Sequence, residues 1–213
     1  MIRGTIYMRR NLDSRWTGPK VWDIMHMVAY TYNPDAKAKY KDFYETIADL
    51  FPCHVCRNHY KSDLKTIDLT SWQTLRSWVH RIRFKKKEQN LESTDRYYRS
   101  RMKNDEFEPS VAGPAIWFML HAFAFSYAKS AKRAWRRFFN SLQYVIPNQV
   151  CRTTMVEMLP RLEMPADILA DADSLFRFIY DFHETINERL GKRGPSFQAV
   201  VNFYSTYVVS MGE

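Results

Sequence analysis

Along the first fifth of the chain the apolar positions Val21, Ile24, Met25 and Val28 recur at steps of three and four, the spacing of a helix with one buried face. Trp22, His26 and Tyr30 then follow one another at four-residue steps and share a second face. Pro19, directly after Gly18, suits the first turn of this helix. The pattern predicts a second helix over 36–51, a third starting near Cys53 after Pro52, and a fourth over 71–87. A charged, turn-rich stretch over 85–113 reads in part as a linker. The apolar, aromatic run over 197–209 predicts an additional helix covering the core.

The pattern is used twice. Gly18-Pro19-Lys20-Val21-Trp22 lies over Gly113-Pro114-Ala115-Ile116-Trp117, and His26 over His121, at an offset of 113 − 18 = 95. The match runs on without a gap through Ala29/Ala124, Tyr32/Tyr127, Phe43/Phe138 and Pro52/Pro147 to Val55-Cys56-Arg57 over Val150-Cys151-Arg152. Across Gly18–Arg57 there are 13 identities in 40 positions. Self-similarity at a fixed period marks one supersecondary unit used twice. The second unit has its own Ser-led helix, over 174–190. Four short helices per unit predict two small all-α bundles, residues 1–95 and 96–213.

Composition narrows the picture. The chain has 213 residues, only 6 Gly and 46% hydrophobic residues, which fits a helical globular protein and disfavours β-rich classes. A net charge of +9 favours anionic partners, nucleic acid among them, or is simply a solvated Lys/Arg surface. No run approaches a membrane span, and residues 1–10 lack the apolar core of a secretory signal, so an intracellular protein is expected.

Three cysteines are too few for a disulfide scaffold. Cys53 and Cys56 form a C-x-x-C at a predicted helix start, and Cys151 stands alone. A helix N-terminus stabilises a thiolate, Arg57 adds positive charge, and two intervening residues let the sulfurs close a reversible disulfide. Zinc ligation with His54 or His59 and a pair of inert buried cysteines are the competing readings. The Trp and His residues likewise read either as core or as ligand-facing side chains.

Taken together these residues resemble the Erv/ALR family of FAD-dependent sulfhydryl oxidases, whose pattern is G-x-x-x-W-x-x-x-H, then C-x-x-C-R, then a closing H-N-x-V-N-x-x-L-G-K. The first unit supplies Trp22, His26, Tyr30, Cys53, Cys56 and Arg57. The second supplies Trp117, His121, Cys151, Arg152, and the run from His183 through Asn187 to Lys192. Each unit departs from the pattern. Asn148 replaces the first cysteine of the second unit. In the first unit the closing motif is gone: alignment of Ser71 on Ser174 puts His80 over His183, alignment on Trp78 puts Arg83 there, and Arg81, Arg83, Lys85, Lys86 and Lys87 crowd the helix end.

The resemblance implies two Erv-like four-helix bundles packed as an intramolecular pseudo-dimer. It implies FAD contacts from Trp22, His26, Tyr30 and His80 in one unit, or from Trp117, His121, His183, Asn187 and Lys192 in the other. Cys53 would exchange with a substrate dithiol or a thioredoxin-like partner, Cys56 would pass two electrons to FAD, and oxygen would leave as hydrogen peroxide. A redox disulfide must touch its own bundle's flavin, which favours the first unit; the closing motif favours the second. The economy of three cysteines resembles the small viral members, which implies host cytoplasm or virion. The alternative is an Erv-derived scaffold without turnover that binds an acidic protein or nucleic acid through its basic surface. A homodimer is compatible with either reading.

Overall fold

The computed structural model describes residues 10–85, 90–158 and 167–210. Its order is β1 (Asn11–Leu12), α1 (Ser14–Tyr30), α2 (Lys37–Leu50), α3 (His54–Leu64), α4 (Trp72–Arg83) and α5 (Leu91–Arg99). A hairpin, β2 (Met102–Lys103) and β3 (Glu106–Phe107), leads to α6 (Pro109–Phe125), α7 (Lys132–Val145), α8 (Gln149–Met158), α9 (Ala172–Arg189), α10 (Phe197–Ser205) and β4 (Val208–Val209). The all-α, twice-used architecture expected from the pattern is present, with a fifth helix in each unit: α10, which the apolar run from Phe197 predicted, and α5, which lies in the stretch read as linker.

The pseudo-dimer seam is made by equivalent elements. α1 packs on α6 and α2 on α7. Phe43 and Phe138, equivalent in the repeat, stack across it with ring centroids 5.9 Å apart. The strands close the circle: β2 and β3 pair antiparallel where the first unit passes into the second, and β4 returns to pair with β1. Trp16 seals that return by stacking on Tyr207 at 3.6 Å, nearly parallel.

Several boundaries differ from the sequence reading, each for a local reason. Pro19 is the sixth residue of α1, not part of its first turn, and Pro114 holds the same place in α6. The helices start earlier because the Asp13 side chain accepts from Arg15 N, and Pro109 occupies the start of α6. They continue through an internal proline because the residue before it is Gly18 or Gly113, which has no Cβ to collide with the pyrrolidine ring. The stretch read as linker holds α5, capped by the Asn90 side chain, whose buried Thr94 and Tyr98 anchor it. The last predicted helix is α10 only as far as Ser205; a turn at Thr206 and Tyr207 leads into β4. The end of the predicted fourth helix, including Lys86 and Lys87, lies outside the described residues.

No described helix is long and apolar enough to cross a membrane.

Candidate active site

The turn before α3 and the turn before α8 are built alike. Leu12 N donates to Pro52 O at 3.3 Å, and Phe107 N to Pro147 O at 3.0 Å. Arg57 Nη1 donates to Phe51 O at 2.6 Å, and Arg152 Nη1 to Ile146 O at 2.7 Å. The helix caps also correspond: Cys53 Sγ accepts from Cys56 N at 3.1 Å, and Asn148 Oδ1 accepts from Cys151 N at 3.0 Å. Asn148 therefore keeps the cap while removing one sulfur, and its amide also donates to Phe107 O at 2.9 Å. Cys53 and Cys56 are joined as a disulfide with Cys53 buried and Cys56 partly exposed; Cys151 is a free thiol. His54 and His59 are both exposed, and among the described residues no three His, Cys, Asp or Glu side chains converge as a metal site.

The caps also decide the register of the closing helices. α4 is capped by Ser71 and α9 by Asp171, whose carboxylate accepts from Ser174 N at 2.8 Å. The Ser–Ser alignment therefore falls. Counted from the caps, Arg83 of α4 corresponds to His183 of α9, and His80 to Tyr180.

In the first unit His26 is completely buried, and neither ring nitrogen has a hydrogen-bond partner among the described residues. Its ring stacks on Tyr98 of α5 at 4.8 Å. Tyr98 also stacks on Tyr30 at 5.3 Å, donates its hydroxyl to Asp23 at 2.9 Å, and accepts from Arg83 at 3.1 Å. Tyr30 donates to Asp95, which also pairs with Arg76. Burial pushes the His26 ring well below the ordinary imidazole range, with the Arg83 charge and then His80 acting in the same direction. Trp22 packs on Phe51 and Tyr60, and His80 on Phe84. One face of His26 is thus taken by Tyr98.

In the second unit a cavity of ≈ 1010 Å³ opens between α6, α8, α9 and α10. It is lined by Trp117, His121, Cys151, His183, Asn187 and Lys192, among a mostly apolar wall. Trp117 and His183 stack at 4.0 Å, nearly parallel. His121 Nε2 and His183 Nδ1 are 3.2 Å apart and share a hydrogen bond. The other His121 nitrogen, Nδ1, is buried without a partner among the described residues. Burial, and then the neighbouring His183, push His121 down to about 3; burial also lowers His183. Beyond α9, Gly191 at φ 66° takes the left-handed conformation that ends the helix, and Lys192 N donates back to Asn187 O at 2.8 Å. That turn brings Lys192 to the cavity rim. Gly194 completes it: a Cβ there would stand 2.1 Å from the Glu184 carboxylate that accepts from the Asn187 amide.

The structure therefore gathers the five second-unit residues around one open cavity, with Cys151 in its wall. It gathers Tyr30 and His26 around Tyr98. Tyr98 was hidden in the stretch read as linker, where only the Asn90 cap followed by a Thr94–Tyr98 spacing signalled a helix.

The Erv1 / Alr family model matches residues 19–96 and again residues 114–205. The chain belongs to the Erv1/Alr family. A frog virus 3 protein named "Putative FAD-linked sulfhydryl oxidase" is 28% identical over 112 residues, which is 49% of this chain and 73% of that protein. A protein of Acanthamoeba polyphaga mimivirus named "Probable FAD-linked sulfhydryl oxidase" is 28% identical over 89 residues, 40% of this chain and 62% of that protein. No solved structure matches the chain. Each of these relatives spans less than half of this Erv1/Alr chain, about one of its two repeats.

Proposed function

We propose that this Erv1/Alr chain is an FAD-dependent sulfhydryl oxidase that oxidises a protein dithiol to a disulfide and passes two electrons to oxygen, giving hydrogen peroxide. The observation that carries the reading is the cavity of the second unit. Its residues fit a flat, phosphate-bearing cofactor: an apolar slot of ≈ 1010 Å³, stacked rings at Trp117 and His183, and the polar groups of His121, Asn187 and Lys192 in its lining.

FAD supplies a two-electron acceptor when bound there. The protein's residues do the rest. Trp117 and His183 orient the ring system, and His121 holds His183 in place through their shared hydrogen bond. Asn187, fixed by Glu184, offers an amide; Lys192 offers positive charge at the rim for phosphate. The Cys53–Cys56 disulfide, with Cys56 partly exposed, is the pair a substrate dithiol reduces by exchange, and it is regenerated when the resulting dithiol gives its two electrons and two protons to FAD. The sequence favoured the first unit for the flavin on the ground of disulfide contact. The stack of Tyr98 on His26 and the open second cavity move the proposal to the second unit.

The test is flavin content per chain in purified protein, followed by His26→Ala and His183→Ala. One flavin per chain, lost in His183→Ala and retained in His26→Ala, is the expected result. Loss only in His26→Ala places the flavin in the first unit. Colourless, folded protein that consumes no oxygen with a dithiol leaves the scaffold reading.

A further inference from the structure

The second unit retains one sulfur where the first has two, and that sulfur lines the cavity. We propose that Cys151 works as a single-cysteine relay: it joins the sulfur of an incoming protein dithiol in a mixed disulfide at the flavin cavity. The inference rests on the flavin reading above and adds the atom through which electrons enter.

Three observations support it. Cys151 is a free, partly exposed thiol in the wall that also carries Trp117 and His183. His121, whose Nδ1 is buried without a partner among the described residues, lines the same wall beside the Trp117–His183 stack. Asn148 holds the α8 start in the arrangement that Cys53 gives α3, so the loss of the partner sulfur has not unmade the site. Cys151 is the third residue of α8, where the helix N-terminus and Arg152 favour a thiolate, although burial opposes them and keeps the free thiol above its ordinary range.

The chemistry balances with FAD as the oxidant. The S–H bonds of Cys151 and of the first substrate thiol break and one S–S bond forms between them. Two electrons and two protons pass to FAD. The second substrate thiol then attacks the substrate sulfur of that mixed disulfide; the new S–S bond closes within the substrate, the bond to Cys151 breaks, and Cys151 takes back a proton. The sum is a dithiol plus FAD giving a disulfide plus reduced FAD.

The experiment uses the flavin-loaded full chain, without oxygen, and a synthetic peptide with one cysteine, which completes the first step and not the second. Samples are quenched with an alkylating agent, weighed intact and mapped by digestion. One peptide bound per chain at Cys151, with bleaching of one flavin, is the expected result. Cys151→Ser and Cys151→Ala, each still yellow and hence folded around its flavin, should bleach at least ten-fold more slowly and carry no adduct on α8. Adduct confined to Cys53 or Cys56 in yellow protein, or wild-type bleaching in yellow Cys151 variants, overturns the relay alone. Protein that purifies without flavin overturns the flavin reading and the relay with it.

Discussion

Asp42 and Arg137 hold equivalent positions of the two repeats, 95 residues apart, and bind each other across the seam, with Arg137 Nη2 2.6 Å and Nε 3.0 Å from Asp42 Oδ1. Arg137 also reaches Glu45 Oε2 at 2.6 Å. In a symmetric homodimer of either unit, this position would face its own copy and set like charges together. The divergence of one aspartate and one arginine therefore favours pairing within the chain.

A charge exchange tests this. Both side chains are partly exposed, so Arg137→Ala should cost only about 1 kcal/mol. Arg137→Asp should cost more, because it faces Asp42 and Glu45 with a third carboxylate. Asp42→Arg combined with Arg137→Asp should recover at least half of that loss. Denaturant midpoints of the wild type, both singles and the double variant measure the coupling. Additive losses would show that the pair has no role in the pairing.

Asn148→Cys should rebuild a dithiol in the second unit. The caps at Cys53 and Asn148 superimpose in role, so the new sulfur meets Cys151 and closes a second disulfide. Thiol titration of unreduced, unfolded protein should then fall from one free thiol to none. The substitution removes the Asn148 bond to Phe107 O, at a cost of about 1 kcal/mol before the new cross-link acts.

Stability should fall in acid through the buried histidines. His121 lies at about 3 in the folded chain, below its ordinary 6.5, and His26 is lowered as well. The unfolded chain therefore binds the protons first: stability is intact above about pH 6.5 and is lost as the pH drops toward 3. Each such histidine contributes a slope of at most about 1.4 kcal/mol per pH unit in that window. His121→Gln should flatten the profile of unfolding free energy against pH by up to that amount. An unchanged slope would mean that His121 titrates normally when folded.

Gly194→Ala should separate fold from site. A Cβ there meets the Glu184 carboxylate, the mobile end of a side chain, so the stability cost should stay below about 1 kcal/mol. The displaced carboxylate loosens its bond to Asn187, and flavin affinity measured by titration of stripped protein should drop several-fold. Unchanged affinity would remove the Glu184–Asn187 pair from the site.

The sequence alone determined the duplication, the helical class and the family. Those rest on properties that stay local along a chain: period, and motifs of fixed spacing such as Cys53-x-x-Cys56 and His183 to Lys192. It left the registers of the closing helices open, because a serine is an equally good cap at Ser71 and Ser174; only the folded chain shows Asp171 in that role. It passed over Tyr98, because a ring that packs on His26 from 72 residues away leaves no periodic trace near either residue. The same limit applies at Asp42 and Arg137, and around the second cavity. Which faces meet, and which stay open, depends on how two similar units close on one another, and that was decided only in three dimensions.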